Sequence, residues 1–149
     1  MSAPSIETLE SYPQRYLDAW NQRDLATALQ VVHTKIYWTD PLAPEPMTDH
    51  DAVGQFFTGA WQGFPDLHFA PVGAPLVDVA HGRVAASWVM TGTHTGEFPP
   101  GAPVSGNSFE VPGTDVWEVD ADGLVELGRW GPGPDRGPVG GYALISEPI

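Results

Sequence analysis

The stretch "LHFAPVGAPLVDVAHGRVAASWVMTGTH", Leu67–His94, is where the texture of the chain changes. It contains two runs rich in Val and aromatic residues, separated by His81-Gly82, and reads as two strands about a turn. Alternation along the second run, Arg83–His94, puts Val84, Ala86, Trp88, Met90, Gly92 and His94 on one face. Two more strand-like runs follow the turn signals "PPG" and "ADG": "NSFEVPGTDVWEV" and "LVELGRWG". In the former, Asp115, Trp117 and Val119 share a face, with Thr114, Val116 and Glu118 opposite. This half is a meander of strands.

Upstream the period is helical. Ile6, Leu9, Tyr12, Tyr16, Leu17 and Trp20 recur at spacings of three and four, which predicts a helix over 5–21 with Ser5 as its cap. Pro13 conflicts with that span, and a start near Ser11 would place it in a first turn, where proline is tolerated. Asp24–His33 reads as a second helix, with Leu25, Ala28, Leu29 and Val32 on one side. "KIYWTD", Lys35–Asp40, is a short strand that Pro41 ends. Asp49–Trp61 is a third helix, capped by Asp49 or Asp51, with Val53, Phe56, Phe57 and Ala60 buried. Helices first and strands afterwards is an α+β pattern. The predicted architecture is three N-terminal helices on one strongly curved, mixed but mostly antiparallel sheet, a cone-shaped α+β barrel.

Bulk properties narrow the function. A chain of 149 residues that is 42% hydrophobic suits one domain, 1–149, ending in a Gly/Pro-rich segment at 131–149. Nineteen acidic against six basic residues give a net charge of −13, which argues against nucleic acid or an anionic membrane as partner. Cysteine is absent, so disulfides and thiolate metal sites are excluded. No apolar run approaches the roughly 18–20 residues of a membrane span. The first ten residues carry neither the basic nor the apolar part of a signal peptide, and a cytoplasmic location is expected. His33, His50, His68, His81 and His94 show no metal-ligand spacing, so neither metal nor other cofactor is expected. A sheet face rich in Val and Trp suggests a homodimer or higher homo-oligomer.

The space between helices and a bent sheet is a natural small-molecule site. Its wall is expected from Trp20, Trp38, Phe57, Trp61, Trp88, Met90 and Trp117. Four polar residues stand on faces that such a space would see. Tyr16 lies one turn before Trp20 on the apolar stripe, where an ordinary core tyrosine is the plain alternative. Asp115 shares a face with Trp117, and a buried carboxylate must be neutral, paired or functional. His94 is either a hydrogen-bonded histidine at a strand end or an acid–base group, with Gly92 and Gly96 allowing a ligand or another backbone close by. Asp40 is either an Asp-Pro turn residue or a catalytic base. Tyr16, Asp115 and Asp40 together match a known template for enolate chemistry, in which a tyrosine and a protonated aspartic acid donate to a developing oxyanion and a second carboxylate removes the α-proton.

"RYLDAWNQRD", "IYWTDPLAPEP" with the following "AVGQFF", and "GTDVWEVDADGLVELGRW" resemble the nuclear transport factor 2-like superfamily over nearly the whole chain. "FPDLHF", the Trp-bearing strand and "GTHTGEF" before a Gly/Pro loop are similar to the SnoaL-like polyketide cyclase family. The tyrosine, Asp-Pro, aspartate and tryptophan framework also resembles ketosteroid isomerase. That likeness implies Tyr16 and Asp115 as oxyanion donors, Asp40 as base and Trp130 in the pocket wall. The SnoaL-like likeness implies His94 and Asp115 as the acid–base pair around an enolisable, polyketide-like carbonyl substrate. Cyclisation is the implied reaction. Double-bond isomerisation, dehydration, epoxide opening with an Asp115–Arg129 pair, and a non-catalytic binding or dimerisation module are the alternatives.

Overall fold

A computed structural model of the chain describes residues 4–40, 42–99, 101–121 and 123, and the backbone alone of 125–129. Pro41, Trp130 and the 131–149 segment lie outside the described residues. The elements run α1 (Ile6–Gln22), α2 (Leu25–Leu29), β1 (Val32–Trp38), α3 (His50–Gly63), β2 (His68–Asp78), β3 (Arg83–Thr93), β4 (Ser108–Val119) and β5 (Val125–Arg129). Helices and then strands is the α+β order read from the sequence.

Helix α1 begins at the earlier of the two expected starts. The Ser5 hydroxyl accepts the Thr8 N–H at 3.1 Å, and Pro13 sits inside the helix. Proline removes the N–H that would meet the Leu9 carbonyl. The buried stripe of Leu9, Tyr12, Tyr16, Leu17 and Trp20 holds the helix together through that defect. Helix α2 is much shorter than Asp24–His33. It stops at Leu29, and β1 opens at Val32, three residues before the expected Lys35. The β-branched pair Val31-Val32 is buried, and Val32 pairs with Val125, so sheet pairing prevails over the helical period. For α3 the cap is Asp49, whose carboxylate accepts the Ala52 N–H at 2.8 Å.

The five strands form one curled sheet in the order β1-β5-β4-β3-β2. β1 and β5 run parallel, and the other pairs are antiparallel. The longest ladder joins β3 to β4 from Arg83 opposite Glu118 to Thr93 opposite Ser108. Its register sets Trp88 opposite Gly113 and Ala86 opposite Asp115, so these four residues share a face. That face looks toward α1 and α3. Trp88 and Trp117 are each 2% exposed. The tryptophans serve the interior, and the exposed apolar residues of the sheet include Val72 and Leu76 on edge strand β2.

After β3 the chain turns across the end of α3. The Thr95 and Gly96 N–H groups both donate to the Gly63 carbonyl at 3.0 Å. A Cβ on Gly96 would lie 2.0 Å from the Gln62 carbonyl oxygen, so only glycine fits. Of the two uses open to this glycine, close approach of another backbone is the one it has.

Candidate functional site

Between the helices and the sheet lies an aromatic cavity with three polar side chains in its wall: Tyr16, Asp40 and Asp115. Its atom-free space is about 520 Å³ with the mouth included, but only about 50 Å³ is open to the centre of a water molecule. It is a narrow slot. Helix α1 contributes Tyr16 and Trp20; the chain beyond β1 contributes Asp40 and Leu42; β3 and β4 contribute Trp88, Met90 and Asp115.

Asp40 combines the two roles that the sequence left open. Its Oδ1 accepts the Leu42 N–H at 2.9 Å, and its carbonyl accepts the Ala43 N–H at 3.0 Å, which makes an Asx turn on a backbone turn. That turn fixes the carboxyl in the cavity wall. The residue as a whole is half-buried, yet protein crowds the carboxyl enough to raise its pKa to about 6, opposed by the Leu42 N–H. Asp40 is therefore mostly ionised at neutral pH.

Asp115 is deeper, at 8% exposure. Burial raises its pKa to about 8, the Trp88 indole N–H opposes this, and the charge of Asp40 adds to it. The indole donates to Asp115 Oδ2 at 3.0 Å. At neutral pH this carboxyl keeps its proton. Tyr16 is buried, and its hydroxyl is pushed well above its ordinary value by burial and next by the charge of Asp115, with Asp40 acting the same way more weakly. The Trp20 N–H approaches that hydroxyl and opposes the shift, and it has no hydrogen-bond partner within 3.5 Å among the described residues. One ionised carboxylate, one carboxylic acid and one neutral phenol thus meet in an apolar slot. Tyr12, one turn earlier, is different: its hydroxyl donates to the Val31 carbonyl at 2.9 Å, a purely internal bond.

His94 is not in the cavity wall. Strand β3 ends at Thr93, but its alternation carries one residue further: His94 is 5% exposed, buried like Val84, Trp88 and Met90, and its N–H donates to the Asn107 carbonyl at 2.9 Å. The His94 ring packs on Phe64, with centroids 5.2 Å apart, and its Nδ1 accepts the Ser105 N–H at 3.2 Å. Nδ1 is thereby the unprotonated nitrogen, and the buried Nε2 has no partner among the described residues. His94 thus packs on Phe64, itself a lining residue, while the Asp115 carboxyl accepts from Trp88.

The expected wall divides into two layers. Trp20, Trp88 and Met90 line the cavity. Trp38, Phe57, Trp61 and Trp117 stand behind them. Trp38 and Trp117 pack on Tyr16, at 6.0 and 4.9 Å between centroids, and Phe57 packs on Trp20 at 4.4 Å. Trp61 donates its indole N–H to the Trp20 carbonyl at 3.0 Å. Phe56, Phe64, Leu67, Phe69 and Phe98 complete the wall and were not anticipated there. Alternation from Leu67 could have found Phe69, whose ring meets Trp88 at 5.0 Å. Phe98 comes from a loop and carried no periodic signal.

Among the described residues, no three His, Asp or Glu side chains converge as metal ligands, and no helix is long and apolar enough to cross a membrane.

A family model described as a SnoaL-like domain matches residues 14–127. No curated protein matches the sequence significantly. Among solved structures, a candidate SnoaL-like polyketide cyclase from Jannaschia sp. CCS1 superimposes with a TM-score of 0.68 at 19% identity, covering 87% of this chain and 88% of its own. SalBIII, an epoxide hydrolase/cyclase-like enzyme in pyran ring formation in polyether salinomycin, gives 0.68 at 14% identity, over 83% and 88%. TsrD from Streptomyces laurentii gives 0.67 at 18%, over 83% and 87%. At these identities the likeness is one of fold.

Proposed function

The chain belongs to the SnoaL-like domain family, and on that premise we propose that the cavity is an acid–base site that enolises a flat, largely apolar carbonyl compound of polyketide type and closes a ring on it. The supporting observation is the pairing of an ionised Asp40 with a protonated Asp115 and a neutral Tyr16 around one apolar slot. In an intramolecular aldol reaction, the Asp40 carboxylate takes the α-proton. The Asp115 carboxyl and the Tyr16 hydroxyl donate hydrogen bonds to the developing enolate oxygen. The enolate carbon then attacks a second carbonyl of the same molecule, and the proton held on Asp40 passes to the new alkoxide. Every proton is returned, so the cycle needs neither metal nor redox cofactor.

The aromatic wall supports a flat, weakly polar ligand, and among the described residues none that lines the cavity is cationic. A homo-oligomer belongs to the same proposal, supported by exposed Val72 and Leu76 on edge strand β2, and light scattering tests it.

The test of the chemistry is α-proton exchange of 2-tetralone in D2O, followed by NMR. Exchange above the buffer rate that falls by about a hundredfold or more in Asp40→Asn supports the site, since a positioned base contributes at least that much. Exchange no faster than in buffer sinks the acid–base reading and leaves a binding module. With longer substrates, a cyclised product separates ring closure from isomerisation.

A further inference from the structure

We propose that Trp88 is a positioning residue, which orients the Asp115 carboxyl so that Oδ1 carries the proton toward the ligand, and that Gly113 is the vacancy in the sheet that lets it do so. The proposal deepens the acid–base reading and rests on it for the role of Asp115.

The geometry begins in the ladder. Trp88 is directly opposite Gly113, and Asp115 is the next residue along β4 on the same face. Diagonal neighbours of this kind are about 7–8 Å apart at their Cα atoms, within reach of an indole only if nothing stands between. Nothing does. A Cβ on Gly113 would lie 2.3 to 2.7 Å from the six-membered ring of Trp88, so the indole lies across the glycine backbone. The Phe69 ring meets the same indole at 5.0 Å and 84°, limiting its swing. Held so, the indole N–H reaches Asp115 Oδ2 at 3.0 Å, with Trp88 2% and Asp115 8% exposed.

An indole nitrogen donates and never accepts. It therefore selects one oxygen of a neutral carboxyl as the acceptor and leaves the hydroxyl on the other. Without it the carboxyl could rotate and present either oxygen, and its proton would be directed only part of the time. Trp88 is thus placed to act on catalysis through Asp115, apart from its share of the apolar wall.

The experiment uses the full chain and two probes: the titration of Asp115 by NMR of 13C-labelled aspartate, and the binding of 2-naphthol, whose oxygen stands in for an enolate. Trp88→Phe keeps most of the ring and removes the N–H. Gly113→Ala keeps the N–H and displaces the ring. Both variants are expected to move the Asp115 midpoint upward by about one pH unit, because the lost bond favours the ionised form. Both are expected to weaken 2-naphthol binding by about tenfold. A merely structural tryptophan would lower the melting temperature in both while leaving the Asp115 midpoint in place, and that result overturns the proposal. If wild type fails to bind 2-naphthol but the midpoint still moves, the positioning stands and the enolate reading falls.

Discussion

Asp40 and Asp115 line the same cavity with their carboxyls on opposite sides of neutrality, about 6 against about 8. Two identical side chains become a base and an acid through their surroundings. Asp40 is tied to a backbone N–H beside a turn, whereas Asp115 is deeper and also feels the charge of Asp40.

The pH profile of exchange follows from that difference. Asp40 must be ionised and Asp115 protonated, so the rate should rise through about pH 6 and fall through about pH 8. In Asp115→Asn the alkaline limb should disappear, because the amide keeps a donor at every pH. Initial rates between pH 4.5 and 9.5 check both statements.

Stability should run the other way from that of ordinary surface carboxylates. A carboxyl whose folded pKa is raised binds its proton more tightly in the native state, so the native state loses stability as pH rises from the unfolded value to the folded one. For Asp115 that window is from about 4 to about 8. Asp115→Asn should unfold like wild type at pH 4 and be more stable at pH 8.5 by on the order of a few kcal/mol. Urea titrations at the two pH values give the comparison, and equal midpoints at pH 8.5 would count against a buried ionisable Asp115.

The two helix tyrosines should separate cleanly. Tyr12→Phe strips the Val31 carbonyl of its donor in the core and should cost about 1–3 kcal/mol, with exchange retained. Tyr16→Phe should leave the urea midpoint nearly unchanged and slow exchange by about tenfold or more.

His94→Ala should be a stability variant. It removes the acceptor of the Ser105 N–H and a ring packed on Phe64, at a cost of about 2–4 kcal/mol. Exchange by the folded fraction should stay within about threefold of wild type. A hundredfold loss in protein that melts normally would return His94 to the acid–base machinery.

Gly96→Ala tests the seat of the loop after β3. The added Cβ meets the backbone of α3, which cannot yield as a side chain would, so the loop must lift from Gly63. A loss of about 1–3 kcal/mol is expected in thermal melts.

Much of this architecture is local and was legible in the residues. The stripe from Leu9 to Trp20, the Ser5 cap and the alternation of Arg83–Thr93 are short-range patterns, and each produced the element it predicts. Parity alone groups Trp88 with Met90 and Asp115 with Trp117, because a ladder without a bulge preserves it along β3 and β4, and burial shows those faces to be the inner ones. Parity also puts His94 on the buried side, but the Phe64 ring on which it packs comes from the C-terminal end of α3, a contact that no local window contains. Val32 belongs to β1 because of a partner at Val125, more than ninety positions away, and no local window contains that pairing.

The α+β order, the acidic and cysteine-free character, and the short list of polar residues worth weighing are all written in the chain. Local propensity and periodicity carry that information. Which of those residues meet depends on the fold. It brought Tyr16, Asp40 and Asp115 to one slot, set Trp38, Phe57, Trp61 and Trp117 behind it, and packed His94 on Phe64 instead of in the lining. The physical reason is that burial and neighbouring charge, which separate the two aspartates by their pKa, depend on contacts made across the chain.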